Sequence, residues 1–175
     1  MIGLEKNKVR LDNYSIEWTT FYEKEKKEIL CVIGDLIKDI EHIGATAVPG
    51  IKAKPIIDIL IGVENFAETG TPAMRIIGLL VGLGYYFRGN DGLPGRLLFI
   101  RQEDNLSLYH IHVVESNSKL WYNHIRFRDI LRGHSDVAKQ YEDLKIKLAL
   151  KFPEDRNSYT WAKTDFIEKV LANYK

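Results

Sequence analysis

The sequence predicts an α+β fold, a mixed β-sheet with flanking helices and a C-terminal helical bundle, on three observations. Short β-branched and apolar runs bounded by turn signals, Ile56 to Ile61 and Leu106 to Val114 among them, fill the first two thirds of the chain. From Lys119 onward the apolar residues recur at helical spacing. No repeat, low-complexity tract or linker separates these parts, which predicts one domain: a core over residues 1–117 with a helical part over 118–175 packed on it.

Composition bounds the function classes. The chain of 175 residues is 45% hydrophobic and 28% charged, which excludes a disordered protein and leaves room for an ordinary core. A formal net charge of +1 argues against a global basic field that would draw it to nucleic acid or a membrane surface. No apolar run approaches the ~20 residues a membrane span needs, and the N-terminus lacks a signal-peptide core, so a cytoplasmic location is expected. The one cysteine, Cys31, cannot form an internal disulfide and reads as a small apolar filler.

In chain order, Val9 to Leu11 reads as a short opening strand. Ser15 is placed to cap a helix whose apolar residues Trp18, Phe21, Tyr22, Ile29, Ile33 and Leu36 carry it to about Leu36. The run Glu23 to Glu28 reads as its solvated side. Ile37 to Ile43 is a strand ending at Gly44, and Ala45 to Pro55 is irregular with room for one helical turn. Ile56 to Ile61 is a strand buried on both faces. Thr71-Pro72 opens a helix with Met74, Ile77, Leu80 and Val81 on its apolar face. Tyr85 to Phe87, Arg96 to Arg101 and Leu106 to Val114 are strands joined by turns. Helices then run over Lys119 to Leu131, Ser135 to Leu150 with Ser135 as cap, and Asp155 or Arg156 to Tyr174.

Several residue patterns point to chemistry. A carboxylate in the apolar strand, Asp58, is costly unless something pairs with it, so it is either a hydrogen-bonded structural group or a ligand or base. In Tyr109-His110-Ile111-His112, alternation puts both histidines on one strand face, about 7 Å apart at the backbone given ~3.3 Å per residue. Both imidazoles can meet one metal or phosphate there, or simply bond to neighbouring backbone. Gly44-Ala45-Thr46 at a strand end lets backbone N–H groups approach an anion, and Lys52 and Lys54 follow as phosphate partners or as loop lysines. Arg128 and Arg132, four apart on one helix, make either a phosphate clamp or an ion-pair network, which Tyr141, Lys145 and Lys163 can join. Trp121, Tyr122 and Trp161 read as helix packing.

The run Glu41-His42-Ile43-Gly44-Ala45-Thr46-Ala47-Val48-Pro49-Gly50-Ile51-Lys52-Ala53-Lys54-Pro55-Ile56-Ile57-Asp58-Ile59 resembles the signature of the GrpB-like family. His110-Ile111-His112-Val113, Phe127-Arg128-Asp129-Ile130-Leu131-Arg132, Tyr141-Glu142-Asp143-Leu144-Lys145 and Lys163 with Phe166-Ile167 follow in family order. The resemblance implies a nucleotidyltransferase-like fold, in which a glycine turn holds a nucleotide and strand acids hold divalent ions. Fusion of some members to dephospho-CoA kinase points to nucleotide or coenzyme A chemistry. Two departures stand out: Leu60 replaces the usual second acid, and Ala45 replaces the usual serine, leaving Thr46 as the hydroxyl.

The expectation is therefore a nucleotide or phosphoester site. Asp58, His110 and His112 would be the catalytic or metal-holding set, and Gly44, Ala45, Thr46, Lys52, Lys54, Arg128 and Arg132 would bind phosphate. An Asp-His-His set suits zinc, manganese, iron or nickel better than magnesium. Metal-dependent nucleotidyl transfer, metal-dependent phosphoester hydrolysis, a non-catalytic nucleotide or coenzyme A sensor, and an internal hydrogen-bond network without a ligand all remain open on the residues alone.

Overall fold

The computed structural model describes residues 1–64, 66 and 72–174. Its strands are β1 (Leu4–Glu5), β2 (Asp39–Ile43), β3 (Ile57–Val63), β4 (Tyr85–Phe87), β5 (Arg96–Glu103) and β6 (Leu106–Glu115). Its helices are α1 (Glu17–Ile33), α2 (Pro72–Gly82), α3 (Lys119–Gly133), α4 (Ser135–Lys151), α5 (Arg156–Trp161) and α6 (Thr164–Asn173). The sheet order is β2-β3-β6-β5-β4, with β1 pairing beside β6. Among the described residues only β3 and β6 run parallel; the other pairs are antiparallel, so the sheet is mixed as expected.

Alternation along the central strands divides the sheet into two different faces. Ile57, Ile59, Ile61 and Val63 of β3 join Tyr109, Ile111 and Val113 of β6 under α1 and α2. This main core also takes Trp18, Tyr22, Ile29 and Ile33 from one side of α1, spaced as a helix face requires. The intervening positions, Asp58 and Leu60 on β3 and His110 and His112 on β6, point to the opposite face. There Ile43, Leu60 and Val114 pack with Trp121 of α3 in a smaller core. A third cluster, with Val48, Ile51, Leu131, Val137, Tyr141 and Val170, ties α3, α4 and α6 to the segment after β2.

Local departures from the sequence reading have simple causes. The opening strand is Leu4–Glu5; Val9 to Leu11 is not a strand, and the nearby pairing is a lone bridge from Asp12 to Ala53. The first helix stops at Ile33 and tightens into a 3₁₀ turn over Gly34–Leu36, so β2 starts only at Asp39. Ile16 precedes the helix in a helical conformation, and Ser15 caps the helix start as expected, its Oγ accepting from the Glu17 N–H at 3.2 Å. Within the charged run of α1, Glu25 is buried, and Cys31 faces solvent instead of filling the core. On α2 the inward pair is Ile76 and Leu80, four apart, which leaves Met74 and Val81 exposed. Thr71, the expected cap, lies outside the described residues. Ser135 is the first residue of α4 and His134 its cap. The expected last helix breaks at Ala162–Lys163 into α5 and α6, with Asp155 capping α5 through the Ser158 N–H. Trp121 packs as expected, whereas Tyr122 and Trp161 are largely exposed.

Candidate functional site

The parallel β3–β6 ladder sets Asp58 directly beside His110, and Leu60 beside His112. Asp58 Oδ1 lies 3.4 Å from His110 Nδ1 and 3.5 Å from His112 Nε2. The Asp58 side chain keeps 30% of its surface exposed, so the group opens to solvent. Burial would raise its pKa, but the two imidazole contacts outweigh that and hold the carboxyl well below the usual range. Burial lowers His110, against the pull of Asp58. Gly44 closes the site from β2. Its φ is +72°, and a Cβ there would stand 2.6 Å from Asp58 Oδ2, so both conformation and space call for glycine.

Other expected phosphate ligands are committed elsewhere. The Thr46 hydroxyl is buried and bonds to His42 Nε2 at 3.0 Å; His42 stacks on Tyr22, and burial pushes its pKa down to about 4. Arg128 is not a free clamp. It donates to Asp129 through Nε and Nη2, and to Glu41 at 2.5 Å and the His42 carbonyl at 3.1 Å through Nη1, pinning α3 to β2. Arg132 Nε donates to the Ala47 carbonyl at 2.8 Å. Its side chain lines a cavity of about 510 Å³ with Tyr14, Ile51, Ala138 and Glu142, away from Asp58 and both histidines. Lys52 is exposed; its N–H is held by Glu142 and its carbonyl by Lys145.

Lys54 behaves differently, and it has company that sequence spacing could not supply. The ammonium groups of Lys54 and Lys163 lie over the Tyr159 ring, 5.2 and 4.6 Å from its centroid. Among the described residues neither has a carboxylate within ion-pair distance. Burial first, and for Lys54 the neighbouring Lys163, pushes Lys54 down to about 7 and Lys163 to about 8, with Asp58 pulling the other way. Arg156 and Arg96 are also partly buried and feel the same Asp58 carboxylate. Four cationic side chains thus face the field of Asp58. Arg96, Arg156 and Tyr159 gave no sequence signal, because only the fold brings β5 and α5 to this face of β3. His124 of α3, 5.7 Å from the His112 ring, was missed for the same reason.

A two-ion magnesium clamp does not fit these donors. It needs clustered oxygen ligands, and the position two residues after Asp58 is the fully buried Leu60. Both imidazoles also turn the nitrogens nearest the site onto one oxygen of Asp58. Among the described residues no group of three or more His, Cys, Asp or Glu side chains is placed to hold a metal ion. Asp58, His110 and His112, the set expected to ligate a metal, meet at one Asp58 oxygen.

Comparison with known proteins places this geometry in context. The GrpB family model, described as "GrpB protein", matches residues 8–173. The chain is 40% identical over 174 residues to the glutamate-rich protein GrpB of Alkalihalophilus pseudofirmus, covering 98% of each. It is 34% identical over 170 residues to the UPF0157 protein YqkA of Bacillus subtilis, covering 97% of this chain and 48% of that protein. The crystal structure of conserved protein GrpB from Enterococcus faecalis superposes with a TM-score of 0.82 at 28% identity, over 94% of this chain and 96% of that one. The Cid1 poly(U) polymerase, in a structure bound to MgATP, superposes with a TM-score of 0.51 at 9% identity, over 86% of this chain and 50% of that one. At that identity the likeness concerns the fold alone, which is nucleotidyltransferase-like.

Proposed function

The chain belongs to the GrpB family, and from that premise we propose that it binds a nucleotide or another phosphorylated small molecule. The ligand lies between the Gly44 turn and the sheet face carrying Asp58, His110 and His112, with its phosphates on Lys54 and Lys163. One observation carries this reading: two partly buried ammonium groups over Tyr159 that have no carboxylate partner among the described residues. A buried charge is costly unless paired, and a phosphate is the partner that this fold's nucleotide-bound relative suggests. The triad supports the same reading. With two imidazoles on its Oδ1, Asp58 presents less bare negative charge to an incoming anion. Transfer chemistry by two ions is not part of this proposal, since a single carboxylate stands where that clamp needs more.

The test is calorimetric titration with ATP, ADP and pyrophosphate. Lys54→Met and Lys163→Met are each expected to weaken binding about ten- to a hundredfold, because a charge-assisted hydrogen bond contributes roughly 1.5–3 kcal/mol. Equal affinities in wild type and variants, or no binding by any of the three, refute the reading.

A further inference from the structure

Resting on the reading of this cleft as a ligand site, we infer that Arg96 sorts the two histidines. It holds His112 as the Nε2–H tautomer with both ring nitrogens engaged, while Asp58 leaves Nε2 of His110 as the imidazole lone pair offered to the ligand. Strand register places the two side chains. Leu98 of β5 is the direct partner of His112 on β6, and Arg96, two residues before Leu98, rises on the same face. Its guanidinium is fixed by the turn ahead of β5, where Nη2 donates to the carbonyl oxygens of Asn90 at 3.0 Å and Asp91 at 3.2 Å. That leaves Nη1 3.5 Å from His112 Nδ1.

A guanidinium only donates hydrogen bonds, so the nitrogen facing it must carry the lone pair. The ring proton of His112 then sits on Nε2, which faces Asp58 Oδ1. An ionised carboxylate only accepts, so the relay from Arg96 through His112 to Asp58 is consistent at every step. The His124 ring packs against His112, and burial pushes it down to about 3, so it is a neutral neighbour that does not compete for either nitrogen.

His110 is oriented the opposite way. Its Nδ1 faces Asp58, which fixes the proton there and leaves Nε2 as an acceptor. That atom is buried and has no hydrogen-bond partner among the described residues. An unmet buried acceptor is unfavourable, and a hydroxyl or amine donor on the ligand meets it. The cleft therefore suits a phosphorylated molecule that also carries such a donor. Arg96 is a positioning residue in this scheme: it touches His112, not the ligand.

Histidine tautomers are read directly from long-range ¹H–¹⁵N spectra of ¹⁵N-histidine-labelled protein. Wild-type His112 is expected to show its proton on Nε2 and His110 on Nδ1. Arg96→Leu is expected to lose the single His112 tautomer, and Arg96→Lys, which keeps a donor-only head group, to restore it. Titration with ATP is expected to shift His110 Nε2 and leave His112 unmoved. A wild-type His112 protonated at Nδ1 overturns the inference, whatever the variants do. So does ATP that moves His112 while His110 Nε2 stays put. An Nε2-protonated His112 that Arg96→Leu loses, with no response to ATP at either ring, upholds the hold of Arg96 and defeats the ligand reading instead, whereas a His112 tautomer unchanged in Arg96→Leu overturns the inference.

Discussion

Two polar clusters sit on opposite faces of the same sheet, and they are finished to different degrees. On the α1 face, Tyr85, Arg101 and Tyr109 are register neighbours on β4, β5 and β6. They surround Glu25 of α1, which is 3% exposed. The Tyr85 hydroxyl donates to Glu25, and Arg101 Nη1 donates to Glu25 at 2.8 Å and Glu28 at 3.1 Å. There charge is matched by charge. On the other face, Lys54 and Lys163 have no carboxylate partner among the described residues, and His110 Nε2 has no donor. A saturated cluster stabilises the fold; an unsaturated one with solvent access is a place for a guest.

The largest expected effect breaks the saturated side. Glu25→Leu strands Arg101 and the Tyr85 hydroxyl in a partly buried setting. Removing one member of such a pair costs about 3 kcal/mol, at the lower end of the usual range because Arg101 keeps Glu28 and some exposure. Urea denaturation measures the loss. ATP affinity, corrected for the unfolded fraction, is expected to be unchanged; a matching fall in affinity contradicts the division between the two faces.

Gly44→Ala comes next and touches both properties. Alanine at φ +72° and ψ −173°, a backbone region essentially reserved for glycine, is strained by about 1–3 kcal/mol, and its Cβ drives into Asp58 Oδ2. Stability is therefore expected to fall by about that amount while ATP binding is largely lost. A variant that binds ATP like wild type shows that the turn is not part of the site.

The contrast between the clusters also explains what could be read from the sequence. The strand alternation around Asp58 and the spacing of His110 and His112 were legible, because both depend on period two along one strand. The mixed sheet and the helical C-terminus were legible for similar local reasons. What escaped depended on contacts between distant segments. Arg128 carries the same local signal whether it clamps a phosphate or pins α3 to β2; only the position of Glu41 decides. Glu25 looked like one charge among six on a solvated helix side until three strands put Tyr85 and Arg101 over it. Arg96 had no signal at all, since its role comes from lying beside Leu98, the strand partner of His112.

The last expected effect is on pH dependence, and its sign follows from the unsaturated face. Lys54 titrates at about 7 and Lys163 at about 8 in the folded protein, both depressed from the ordinary lysine value. Between those values and about 10.4 the unfolded chain holds protons that the folded one has released, so stability rises with pH there. Below pH 7 both states are protonated and the fold bears the whole cost of the buried charges. His42 and His124, at about 4 and about 3, add a separate rise between roughly pH 4 and 6.5 with the same sign. The climb ends near pH 10, where tyrosines of the unfolded chain ionise while Tyr85, Tyr141 and Tyr159, raised by burial, do not. Thermal scans are expected to show Tm increasing from pH 7 to 9, by about 2–4 °C for each kcal/mol gained. Saturating ATP is expected to flatten this rise, because a bound phosphate favours the charged ammonium and lifts both lysines towards their ordinary value. A Tm that rises equally with and without ATP, while ATP binds, removes Lys54 and Lys163 from the phosphate site and leaves the Gly44 turn and His110 to account for the affinity.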